Sequence, residues 1–304
     1  MSDDIAADAT PETASRITAP GIYRMAASAY HADPCPEPSL SSSIAQLICN
    51  ASPLHARECH PRLNPAAHED EAEHFDIGTA AHALLLEGAS NIAIIEAKDY
   101  RTNAAKEARD LAYAAGKTPL LAARWADVQA MVAAARGQLK AHKDGGAEMF
   151  LSGEPESTVI WREDDLWCRA RLDWLRPERG PRPAWAIDDY KTTSQTANPD
   201  RWTRSLFFSG FDIQAAWYIR GIKAVTEREA TFRFCVQETF KPYALAVIGL
   251  APDALILATK KCLYALEQWA EARKRDKWKG YPSKTCYAML PMAHEAWWLE
   301  KEMR

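Results

Sequence analysis

The chain has 304 residues, 47% of them hydrophobic and 26% charged, with a net charge of −4. This suits one large or two small globular domains, and the acidic total excludes a uniformly basic coat for nucleic acid, so any phosphate contact has to be local. No apolar run of about 18 residues occurs, and seven scattered cysteines without a CxxC read as reduced thiols rather than a metal site. A cytoplasmic protein without a membrane segment is expected.

Residues 1–20 are acidic and rich in small residues, the composition of a disordered tail. Residues 21–304 then form a single domain. Serines 39 and 41–43 offer caps for a short helix that a Ser-Pro pair stops. The stretch "HFDIGTAAHALLLEG" predicts a helix with a small-residue start, ended by Gly88. A second helix is expected from Thr102 or Asn103 to Gly116. A long third helix follows, with Thr118 as its cap and Pro119 at its first position.

After this helical half the period changes. "ESTVIWREDDLWCRARLDWL" predicts two strands around an Arg-Glu-Asp-Asp turn. Alternation puts Leu166, Cys168, Ala170, Leu172 and Trp174 on one face, with Arg169, Arg171 and Asp173 on the other. A Pro/Gly/Arg loop leads to a third strand, "AWAIDDYK"; then come a helix ("FDIQAAWYIRGIKAV"), two strands and a long helix opened by Pro252. The order implies an α/β or α+β fold with one central sheet.

The stretch "AIDDYKTT" ends an apolar run with two aspartates and a lysine. Side chains two apart on a strand share a face, so Asp189 and Lys191 point together. If the strand bearing Asp173 is a neighbour, Asp173, Asp189 and Lys191 converge, and two carboxylates there can hold a hard divalent cation. A solvated strand end with an ion pair is the plainer reading of the same letters. Acid, spacer, acid-x-lysine is the signature of the PD-(D/E)xK nuclease superfamily.

Taken with "GTAAHALLLEG", "CRARLDWL" and "FDIQAAWYIRG", the chain resembles the exonuclease VIII family of phage and prophage recombination nucleases. The resemblance runs from about Gly21 to "AMLPMAHEAWW", although Leu172 stands where the motif's name has proline. It implies a restriction-endonuclease-like core with a central mixed sheet flanked by helices. It implies His82, Asp173 and Asp189 as metal ligands, Lys191 as the catalytic lysine, and Glu156 as an extra acidic ligand. Gln214 and Tyr218 match a Gln-x-x-x-Tyr motif and share a helix face, where they can contact the DNA backbone or support the site.

Mg²⁺, or Mn²⁺, is the cofactor implied. Only Cys262 and Cys286 lie near the C-terminus, which argues against the iron–sulfur cluster of some relatives. The implied activity is 5′ to 3′ exonuclease action on double-stranded DNA ends, by a homo-oligomer that passes its product to a single-strand annealing protein. An endonuclease, a CRISPR-type adaptation nuclease and a non-catalytic DNA-binding protein remain alternatives. Arg171, Arg201, Arg204, Lys260, Lys261 and the run "EARKRDKWKG" are candidates for a DNA track, and Trp202 and Trp217 for base contact. His55, His60, His68 and His74 lack zinc-finger spacing and read as surface or loop.

Overall fold

The computed structural model describes residues 16–68, 77–178, 184–290 and 292–303. In chain order the elements are β1 (Gly21–Tyr23), α1 (Ala27–His31), β2 (Leu40–Ser41), α2 (Ser42–Asn50), α3 (Pro53–Glu58), α4 (Ile77–Leu86), β3 (Ile92–Ile95), α5 (Asn103–Ala114), β4 (Thr118–Leu121) and α6 (Ala122–Ala141). The second half holds β5 (Glu154–Glu163), β6 (Leu166–Glu178), β7 (Ala184–Thr193), α7 (Pro199–Phe208), α8 (Phe211–Thr226), β8 (Ala230–Glu238), β9 (Leu245–Gly249), α9 (Pro252–Arg275) and α10 (Met292–Glu302).

A mixed sheet runs in the order β1-β5-β6-β7-β8-β9. β5, β6 and β7 are antiparallel neighbours, β8 lies parallel to β7, and β9 closes the edge antiparallel. Helices cover both faces. Ile44, Ile48, Trp202, Ile213, Trp217, Ile222 and Trp269, from α2, α7, α8 and α9, pack with Val159, Leu172, Ile187 and Phe234 in the larger core. Ala80, Ala81, Leu85, Val128, Met131 and Leu139, from α4 and α6, pack with Trp174, Tyr190 and Cys235 in the smaller one. This is the expected α/β architecture with a helix-flanked mixed sheet. Gly221 lets α8 lie close to the sheet, because a Cβ there would stand 2.8 Å from the Trp161 ring.

Several local expectations need correction. Thr118 and Pro119 do not open the long helix; residues Thr118–Leu121 form β4, which pairs in parallel with β3. The apolar Leu120 is buried there, and both strands of this two-stranded sheet are edge strands, where proline is tolerated. The helix starts instead at Ala122. Of the expected tail, residues 1–15 lie outside the described residues, but Arg16 donates to the Pro36 carbonyl at 2.8 Å and Ile17 packs beside Cys35, Ile160 and Trp167. Trp174 does not share a core with Leu172: Leu172 and Leu175 belong to the larger core and Trp174 to the smaller, so the alternation of β6 slips around Asp173.

The slip coincides with a break in the ladder. One edge of β6 is taken by β5 along nearly its whole length. The other edge pairs with β2 at Cys168 and Arg169, and with β7 only from Trp174 onward. Between them the strands separate, and the Tyr190 N–H donates to Asp173 Oδ2 at 2.9 Å instead of continuing the ladder.

Candidate metal centre

Register alone brings three acids into a row. Glu156 lies between the paired residues Pro155↔Trp174 and Ser157↔Leu172, which sets it opposite Asp173. The β6–β7 pairing stops at Trp174↔Asp188, one position short of Asp173 opposite Asp189. Glu156 also has φ of 52°, a left-handed conformation that is strained for a side-chain-bearing residue. Such strain persists only where surrounding structure imposes it, and it concentrates at functional sites.

His82 enters from α4 on the helical side. Its Nε2 lies 3.1 Å from Asp173 Oδ2, and its Nδ1 3.9 Å from Glu156 Oε1. Ligand atoms of His82, Glu156 and Asp173 all lie within 4.8 Å of one another. Their side chains keep 30%, 17% and 15% of their surface, so the cluster is open to solvent and to a ligand. Arg171 Nε donates to Glu156 Oε2 at 2.6 Å, and its Nη1 to the Met25 carbonyl at 2.9 Å.

Asp189 lies behind this opening, fully buried. Lys191 Nζ stands 2.5 Å from its Oδ1, and Gln214 Nε2 donates to its Oδ2 at 2.8 Å. The Gln214 amide also reaches the Tyr218 hydroxyl at 3.1 Å. The ammonium of Lys191 lies 5.4 Å over the Phe211 ring. A cleft of about 540 Å³ opens past Lys191, lined by Thr192, Thr193, Gln195, Arg201 and Ser205 among others.

The electrostatics follow from crowding. Burial, and then the neighbouring Asp173 charge, push the Asp189 carboxyl up to about 6 against the pull of Lys191. Burial and Asp173 likewise raise Glu156. Asp173 itself is lowered: its burial is outweighed by His82, Lys191 and the Tyr190 amide. His82 is raised, because Asp173 and Glu156 overcome the burial that opposes its charge. Lys191 is also raised, as Asp189 and Asp173 outweigh its burial. Three carboxylates therefore face two permanent cations, Arg171 and Lys191, and the imidazole is drawn toward protonation to make up the difference.

The residues suit a divalent cation. One imidazole and two carboxylates form an oxygen-rich donor set compatible with Mg²⁺ or Mn²⁺. A divalent ion would take over the compensation that the His82 proton otherwise supplies, which gives such an ion a physical reason to bind. Asp189 is not among the three clustered donors; its oxygens are held by Lys191 and Gln214.

The other expected residues divide. Gln214 and Tyr218 face the buried acid rather than solvent, so of their two expected positions the supporting one matches the geometry. Arg171 is engaged by Glu156 and Met25, while Arg204 is exposed on α7 and has no contact with the cluster. Trp202 and Trp217 are not free to meet a base: Trp202 stacks on Phe211, and the fully buried Trp217 donates to the Arg169 carbonyl. The C-terminal basic run is largely occupied, since Arg273 binds Glu37 and the Pro38 carbonyl, Arg275 and Lys279 face Glu271, and Lys261 pairs with Asp212.

His60, expected at the surface or in a loop, lies in the loop after α3 but is wholly buried. It sits against Asp33 and the Ser39 carbonyl in a polar knot completed by Arg169, which holds the Asp33 carboxyl at about 2 despite its burial. His74 lies outside the described residues. The Tyr190 amide had no signal in the sequence, because its role depends on where β6 and β7 part. Helix α7 was also missed, although Asn198 followed by Pro199 is a cap and first-turn signal.

Comparison with known proteins agrees with this architecture. The crystal structure of a "Putative exonuclease" from Eubacterium rectale superposes with a TM-score of 0.51 at 11% identity, covering 85% of this chain and 88% of that one. At that identity the likeness concerns the fold. No curated protein matches the sequence. Residues 48–289 match the model of the PDDEXK-like domain of unknown function (DUF3799), and with most of its length inside that match the chain belongs to this family of the PD-(D/E)xK superfamily.

Proposed function

We propose that this protein is a divalent-metal-dependent deoxyribonuclease that hydrolyses phosphodiester bonds at double-stranded DNA ends. The observation that carries the reading is the meeting of His82, Glu156 and Asp173 from three separate elements, with Lys191 anchored beside them on Asp189. His82, Glu156 and Asp173 would hold the ion, Mg²⁺ or Mn²⁺, with Asp189 as an adjoining carboxylate. When bound, the ion supplies charge neutralisation of the phosphate and a water of lowered pKa.

The chain's own groups do the positioning. Arg171 fixes Glu156, and the Tyr190 amide fixes Asp173. Gln214 and Lys191 hold Asp189 between them, which aims the Lys191 ammonium. That ammonium keeps its proton and stabilises negative charge developing on the phosphate, a preorganised electrostatic contribution. The resemblance to exonuclease VIII supports the finer reading: 5′ to 3′ resection by a homo-oligomer that serves recombination by single-strand annealing with a partner protein.

The test is degradation of end-labelled linear duplex with Mg²⁺, with and without EDTA, beside a covalently closed circle and Lys191→Ala. Metal-dependent loss of 5′ label from the linear duplex alone, absent in the variant, is the expected result. Cutting of the circle would point to an endonuclease. DNA binding without cleavage under Mg²⁺ or Mn²⁺ would leave a binding protein on a nuclease fold.

A further inference from the structure

Helix α7 borders the cleft beyond Lys191, and its two faces differ sharply. Trp202 and Leu206, four apart, are buried and pin the helix to the core. The outward face carries Arg201, Arg204, Ser205 and Phe208 at intervals of three, four and seven, which align on one side of a helix.

Arg201 and Ser205 line both the cleft next to Lys191 and a second cavity of about 540 Å³ that continues to Arg204 and Asp200. The two cavities thus adjoin at Arg201 and Ser205, one beside Lys191 and the other on the helix surface. Arg201 and Arg204 are exposed and make no ion pair with a described residue, unlike Lys261 or Arg273 on α9. Asp200 puts one negative charge at the rim. Phe208 closes the stripe and is 90% exposed, whereas its neighbour Phe207 lies under the Lys261 ammonium at 6.0 Å.

We propose that this face of α7 carries one unpaired polynucleotide strand running to or from the metal cluster. Flanking phosphates lie on Arg201 and Arg204, and a base stacks on Phe208. The inference rests on the nuclease reading and adds the path of the strand. Charge selects the ligand: two free guanidiniums in a hydroxyl-lined groove fit a phosphate backbone. The ring selects the form, because only an unpaired base offers its face to a side chain at the end of a helix.

The experiment is fluorescence anisotropy of a labelled single-stranded oligonucleotide with the full chain, in Ca²⁺ to withhold cleavage, over a range of salt. A duplex of equal length runs alongside. Arg201→Gln with Arg204→Gln is expected to flatten the slope of log K against log salt by about 1.4, some 0.7 for each lost phosphate. Phe208→Ala is expected to weaken single-strand binding by roughly 5- to 150-fold with the slope unchanged, and to leave the duplex almost unaffected. Lys106→Gln, exposed on α5, should match wild type. Wild-type binding with the α7 variants unchanged, or with Lys106→Gln lowering the slope equally, would overturn the strand path while leaving the nuclease reading intact. Absence of wild-type binding to either DNA would sink both.

Discussion

Two fully buried aspartates, Asp188 and Asp189, adjoin on β7 and face opposite sides of the sheet. Asp188 is met by Arg176 at 3.1 Å and by Arg233 at 2.8 and 2.9 Å, with Glu148 on the far side of Arg176. Two acids balance two guanidiniums, and every charge has its partner inside the protein. Asp189 belongs to the other kind of region, in which Glu156, Asp173 and Asp189 outnumber the permanent cations Arg171 and Lys191, and only the titratable His82 can make up the difference. A balanced buried cluster is explained by the fold alone. An unbalanced one, half open to solvent, is explained by something that binds there.

Substitutions in the two regions should have opposite effects. Asp173→Asn should lower metal-dependent cleavage by about a hundred- to a thousandfold, the scale of losing a preorganised charge contact at the reacting group, while the urea midpoint stays close to wild type. Cleavage within tenfold of wild type would remove Asp173 from the site. Asp188→Ala should do the reverse, with a destabilisation of about 3 kcal/mol from taking the carboxylate away from the buried Arg176 and the partly buried Arg233. Cleavage per folded molecule should hardly change.

A smaller effect is expected one layer out. Gln214→Ala frees one oxygen of Asp189 without touching the clustered donors, and should cost roughly 10- to 100-fold in activity. Gln214→Glu, which cannot donate to the carboxylate at neutral pH, should behave no better. If the alanine variant keeps full activity and affinity for metal, the Gln214–Tyr218 pair is only packing.

The smallest effect is in pH. Asp189 titrates near 6 in the folded, metal-free protein and near 3.8 otherwise. Between those values the folded state binds more protons than the unfolded one, so this group takes stability away as pH rises from about 4 to 6. The difference in urea midpoint between wild type and Asp189→Asn, measured in EDTA, should shift against wild type across that window. Asp33 has the opposite sign: held at about 2, it contributes stability above pH 4 that is lost as pH falls toward 2. A flat difference curve for Asp189→Asn would mean that Lys191 offsets the burial of its carboxylate in full.

How far the sequence disclosed this site depends on the distance over which each contact is set. Asp189 and Lys191 share a face because side chains alternate along β7, and Asp173 was legible from the same period in β6. Glu156 is harder to read, since its place opposite Asp173 needs the register of a neighbouring strand and a left-handed backbone that a glutamate does not advertise. His82 was legible only through family resemblance, because an apolar helix gives no sign of which strand it covers. The Thr-Pro pair at 118–119 spells a helix start as well as an edge strand, and pairing with Ile92–Ile95 decides between them. His60 lies too far in sequence from Arg169 for its burial to be foreseen.

The most direct test of the central claim is Mn²⁺ binding followed by calorimetry at neutral pH, on wild type, His82→Ala and Asp173→Asn. Saturable binding by wild type is expected, with protons released on binding, and at least a tenfold loss of affinity in each variant. Absence of binding to wild type, or equal binding to all three, would contradict it.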